Sequence, residues 1–174
     1  NKTVTAIFTQ NPPWTAYNDV SGTSTPANTT EFTINTTNGS LLGFDSGTST
    51  GVTVTVTTSG TLSNQTSSGT ATASGTDAYN TFNGKVNMVG VVQYNVSTPA
   101  DFWMDLTFNG LDPDKTYTFV TTANRAGGTS GTPAYPTRIT RYTISSVDAA
   151  TNASTTGTSV YNGDSYAVYF CTGE

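Results

Sequence analysis

Apolar and polar residues alternate along this chain in short runs, and no stretch sustains a 3.6-residue period, which predicts an all-β domain. The clearest run is Gly51-Val-Thr-Val-Thr-Val-Thr-Thr58, a strand with Val52, Val54 and Val56 facing inward and the intervening threonines outward. Residues 100–108 predict another, with Phe102, Met104, Leu106 and Phe108 on one face and Trp103, Asp105 and Thr107 on the other. Weaker runs predict strands at residues 4–9, 31–35, 86–96, 117–122, 138–145 and 166–171, with a bulge at Gly90. Leu41, Leu42 and Phe44 form an apolar run after an Asn38-Gly39 turn. Asn11-Pro12-Pro13 breaks the first strand, and Asn-Gly followed by Asp-Pro-Asp turns the chain over residues 109–115. Residues 59–76 are nearly all Ser, Thr, Gly, Ala and Asn, too little apolar area for a core, and predict a long exposed hairpin or loop. About eight to ten antiparallel strands in one chain of this length predict a β-sandwich or jelly roll, Ig-like or like a carbohydrate-binding module. No fixed-period repeat argues for a solenoid or propeller.

Composition sharpens the class. A length of 174 residues with no break in composition predicts one domain over 1–174. The chain is polar without being charged: 39 Thr, 17 Ser, 17 Gly and 15 Asn stand beside only 10% charged residues, and the excess of Thr favours extended strands. A net charge of −5 is too small for charge-driven disorder, and six scattered basic residues cannot form the cationic field that nucleic acid requires. No apolar run approaches the roughly 20 residues needed to span a bilayer. The chain opens at Asn1 without Met and reads as a mature or trimmed product. Cys171 has no internal partner and is expected as a small buried hydrophobe. Asn-x-Ser/Thr sequons at Asn1, Asn28, Asn35, Asn38, Asn64, Asn95 and Asn152 suit an exported, extracellular or cell-surface protein, and some must arise by chance in so Thr-rich a chain.

Histidine is absent, which removes the commonest general base and the usual transition-metal ligand, and with them triads and zinc hydrolysis. A carboxylate pair drawn from Asp45, Asp77, Asp101, Asp105 and Asp148 is formally open, but these acids fit turns, loops and polar strand faces. Asp112-x-Asp114 reads as turn chemistry rather than a calcium site. The expectation is no enzyme, no cofactor and no metal. Nine Tyr, eight Phe and two Trp are many for so polar a chain. Most are core, and Trp14 beside Pro13 is expected as a loop anchor. Trp103 is the informative one: on an outward face its indole stacks on a ligand, packs under a neighbouring chain, or is covered by a loop. Arg125, Arg138 and Arg141 hold half the basic charge within a short stretch, either as solvated strand-end charges or as guanidinium donors to sugars or a neighbour's carboxylate.

Three segments carry a resemblance: Gly75-Thr-Asp-Ala-Tyr-Asn-Thr-Phe-Asn-Gly84; Leu106-Thr-Phe-Asn-Gly-Leu-Asp-Pro-Asp-Lys-Thr-Tyr-Thr-Phe119 with Asn124-Arg125; and Thr140-Arg-Tyr-Thr-Ile144. With Asp148-Ala-Ala-Thr-Asn-Ala-Ser-Thr155 and the closing Thr172-Gly-Glu174, they resemble a poorly characterised family of secreted bacterial β-sandwich domains over about residues 75–174. The resemblance implies modules of large surface and exported proteins, sometimes near carbohydrate-active enzymes, and it implies no catalytic residues. In that pattern the closing Thr-Gly-Glu is followed by an apolar segment and a final strand, whereas this chain ends at Glu174.

The expected function is therefore a non-catalytic extracellular structural or adhesive subunit, with a carbohydrate-binding module of a larger secreted protein as the alternative. The expected partners are other copies of the chain or neighbouring surface proteins, or else a polysaccharide. Strand exchange through Val4, Ile7 and Phe8, filling a slot left by the missing terminal strand, would join copies into a filament.

Overall fold

The computed structural model describes residues 13–21, 26–59, 62–65, 69, 73–94, 102–122, 139–150, 158–160 and 166–171. They are mostly β, in small antiparallel sheets with one short helix. In chain order the elements are β1 (Asn38–Leu42), β2 (Ser49–Thr58), β3 (Leu62–Gln65), α1 (Asp77–Phe82), β4 (Val91–Tyr94), β5 (Met104–Asn109), β6 (Ile139–Thr143), β7 (Thr158–Val160) and β8 (Ala167–Cys171). The sheets run β1-β2-β5, β3-β4 and β6-β8-β7, and the described residues do not close into a sandwich.

The core sits on one side of β1-β2-β5. Alternation on β2 buries Val52, Val54 and Val56 and exposes Thr53, Thr55 and Thr57. Their apolar surface joins Leu41 of β1, with Met104, Leu106 and Phe108 of β5 packed half-buried against it. Each such side chain, where fully buried, contributes roughly 1.5–3 kcal/mol. Phe32, Trp14 and Ala16 cover this face from the irregular N-terminal segment. Gly39 is required here, because a Cβ would overlap the Phe32 ring. The Asn38-Gly39 pair therefore opens β1 rather than forming a turn. The turn falls between β1 and β2 instead, where Gly43 N donates to Thr48 O at 2.8 Å and Gly47 takes φ +67°.

Residues 31–35 are not a strand. Thr33 Oγ1 accepts from Asn35 N and Thr36 N and folds that segment into a turn. Just before it, the Asn18 side chain stands in for a strand partner, its Oδ1 accepting from Phe32 N at 2.8 Å and its Nδ2 donating to Phe32 O at 3.1 Å. The backbone of Phe32 is satisfied without a sheet, so its ring can enter the core. Within 59–76, expected as loop, β3 forms by pairing with β4, whose Val91 and Val92 supply the apolar surface that Leu-Ser-Asn-Gln lacks. The strand expected over 86–96 is shortened to β4 among the described residues, because Phe82 O accepts from Lys85 N and Val86 N and turns the chain out of the helix there. Helix α1 itself carries no apolar period and depends on its ends: Thr76 caps it by accepting from Tyr79 N, and Phe82 packs edge-on to Tyr17 at 6.4 Å. Residues 117–122 form no strand among the described residues, although Phe119 packs edge-on to Phe108 with ring centroids 5.9 Å apart. The turn expected at 109–115 is present, with Asp114 N donating to Asp112 Oδ1 and Lys115 N to Asp112 O. The strands expected near 138–145 and 166–171 are β6 and β8.

Candidate contact face

Register converts the alternation of three strands into one surface. On the outward side of β1-β2-β5, Ser40 lies beside Thr53 and Asn109, Asn38 beside Thr55 and Thr107, and Thr57 beside Asp105. All eight side chains are exposed. Strand geometry sets them about 4.8 Å apart across the sheet and about 6.8 Å apart along it. The face is thus an ordered array of hydroxyls and amides with one carboxylate.

Trp103 closes one end of that array. Ser59 N donates to Trp103 O at 3.1 Å and Trp103 N donates to Ser59 Oγ at 3.0 Å, extending the β2-β5 register by one pair. This anchors the backbone beneath the indole, which is 47% exposed on the same side as Asp105, Thr107 and Asn109. Of the three fates expected for Trp103, none of the described residues covers the ring. An apolar platform beside hydroxyls, amides and a carboxylate can stack on a ligand while its neighbours exchange hydrogen bonds.

The remaining sites divide. Arg141 is exposed on β6, in a different sheet from Trp103, opposite Tyr169 of β8. Arg125 and Arg138 lie outside the described residues, as do Asn1, Asn95, Asn152 and the strand-exchange residues Val4, Ile7 and Phe8. Asn35 and Asn38 are exposed sequons. Asn28 is committed elsewhere: it takes φ 71° and its Nδ2 donates to Phe44 O at 2.9 Å, the bond a glycan would displace. Asn64 is half-buried in β3, and its Oδ1 has no hydrogen-bond partner. Asp112 and Asp114 serve the turn, and Lys115 Nζ lies 3.5 Å from Asp112 Oδ2. Among the described residues no group of three or more His, Cys, Asp or Glu side chains converges as metal ligands would, and no helix is long and apolar enough to cross a membrane.

Alternation alone identifies Trp103, Asp105 and Thr107, whereas Asn38, Ser40 and Asn109 join the face only through strand pairing. Asn109 was within reach, since it continues the period of β5. Comparison with models of protein families, with curated proteins and with solved structures finds no match.

Proposed function

We propose that the protein is a non-catalytic extracellular domain, an Ig-like β-sandwich that acts as a structural or adhesive subunit through the outward face of β1, β2 and β5. The observation that carries this reading is Trp103, nearly half exposed at the end of a flat array of short polar side chains. Covering the indole against a partner removes apolar surface from water, and the surrounding hydroxyls and amides set orientation. The sandwich is supported by strand order: β1-β2-β5 follows the A, B and E strands of Ig-type sheets. Tyr117 Oη accepting from Asp112 N at 2.8 Å has the form of the tyrosine corner that carries such chains from one sheet to the other. Exposed sequons at Asn35 and Asn38, and the resemblance to secreted bacterial β-sandwich domains, support an extracellular site.

A second reading, a carbohydrate-binding module, is favoured by what surrounds the indole. Trp103, Asp105 and Thr57 share one face, so a sugar ring stacked on the indole would meet a carboxylate and a hydroxyl at its rim. The test is binding to immobilised polysaccharides by the wild type and by Trp103→Ala. On the carbohydrate reading, the substitution weakens binding at least about tenfold, as loss of a central aromatic anchor does, with the thermal midpoint unchanged. Binding that survives Trp103→Ala rejects this face. Binding to no polysaccharide rejects the module reading and leaves adhesion to protein.

A further inference from the structure

The β1-β2-β5 sheet ends at β5, and the direction of that strand's backbone groups follows from the ladder. Ser59 N donates to Trp103 O, and the pairs Thr57–Asp105, Thr55–Thr107 and Thr53–Asn109 repeat that relation at every second residue. Asp105, Thr107 and Asn109 therefore turn their N–H and C=O groups toward β2. Those of Met104, Leu106 and Phe108 point the other way, and among the described residues nothing pairs with them. The side chains of the same three residues are only half-buried on the inner face. The strand Met-Asp-Leu-Thr-Phe-Asn has no Pro, no Lys and an unbroken register, so it lacks the usual devices that protect a sheet edge.

We propose that β5 pairs antiparallel with β5 of a second copy of this chain, about a twofold axis at Leu106. Only the outward-pointing residues can exchange hydrogen bonds, so the register must move in steps of two. Centred on Leu106, it sets Met104 opposite the partner's Phe108 and Leu106 opposite the partner's Leu106, and all the free backbone groups of these residues are used. The apolar contacts include a favourable sulfur–aromatic pair. On the outward face Asp105 meets the partner's Thr107, and Trp103 meets the partner's Asn109. A shift one way brings Asp105 against the partner's Asp105, a like-charge pair directly opposed. A shift the other way sets Met104 against the partner's Gly110 and loses an apolar contact. Charge and shape thus select the centred register. The contact is isologous and closes at a dimer, unlike the heterologous strand exchange that builds filaments. It would also bring two Trp103 indoles onto one continuous face. The inference concerns how copies of the chain meet and does not depend on what the contact face binds.

Sedimentation equilibrium of the whole chain tests it with substitutions at Thr107, an exposed residue whose backbone bonds belong to β2 and whose replacement leaves the monomer fold in place. The wild type should show a concentration-dependent dimer. Thr107→Asp opposes an added carboxylate to each Asp105 across the axis and should raise the dissociation constant about tenfold or more. Thr107→Lys opposes an ammonium to each and should lower it, and Asp105→Lys combined with Thr107→Asp should restore association. A wild type that stays monomeric at millimolar concentration, one that assembles beyond a dimer, or a dimer indifferent to both Thr107 substitutions overturns the proposal.

Discussion

Tyr142 on β6 shows how one side chain ties the fold to pH. Its Oη donates to Thr122 O at 2.9 Å. Burial pushes its pKa above the ordinary value of 10.0, outweighing a hydrogen bond with the Thr121 side chain that pulls it down. The folded chain therefore holds this proton more tightly than the unfolded one. The stability it contributes is complete below about pH 10 and is lost as pH rises through the folded value. Tyr142→Phe is expected to cost about 1 kcal/mol at neutral pH, the worth of one hydrogen bond. It should also flatten the alkaline decline in urea-derived stability. Equal declines for the two proteins would mean that Tyr142 ionises as freely in the fold as in the unfolded chain. Asp19 shows a different residue-level constraint: it is 2% exposed, its Oδ1 accepts from both N and Oγ of Ser21, and its Oδ2 has no hydrogen-bond partner.

At the scale of the element, β2 carries two functions on alternate residues. Its valines hold the core and its threonines form the middle row of the contact face, so neighbouring substitutions should separate stability from binding. Val54 is 1% exposed, and Val54→Ala leaves a cavity between Leu41 and Phe108, expected to cost about 2 kcal/mol. Thr55 lies between Asn38 and Thr107 on the exposed side, and Thr55→Ala should cost less than about 1 kcal/mol. Denaturant midpoints of the two variants decide this, and comparable losses would mean that the outward face is packed against something. Helix α1 depends on its surroundings in the opposite way. Six residues are too few to be stable alone, and α1 stays folded through its Thr76 cap, the Phe82 contact with Tyr17, and the bond from Lys85 Nζ to Tyr17 Oη at 2.9 Å.

For the whole molecule, the segment after β5 does the joining. Tyr117 stacks tilted on Trp14 at 6.0 Å and Phe119 packs on Phe108, both against the β1-β2-β5 core, while Thr122 O accepts from Tyr142 of β6. One stretch of chain therefore touches two sheets, and the bond from Asp112 N to Tyr117 Oη fixes the corner from which it starts. Tyr117→Phe keeps the ring contact and removes that acceptor. A loss of about 1 kcal/mol is expected, together with faster hydrogen exchange at Asp112 N–H. If neither changes, the corner is not held by this bond.

The face each strand residue presents was legible in the chain itself. The inward valines of β2, the alternation through Phe102 and Phe108, the outward Trp103 and the turn at Asn109 to Lys115 all follow from a two-residue period and from turn residues, which are local properties. What required the folded chain was pairing. Phe32 reaches the core from a segment that is not a strand, because Asn18 satisfies its backbone from 14 residues away. β3 exists because β4 pairs with it, and Asn38 and Ser40 enter the contact face because β1 aligns with β2. These outcomes depend on hydrogen bonds and contacts between distant residues. A local period fixes which side of a strand a residue faces, and only tertiary structure decides what lies beside it.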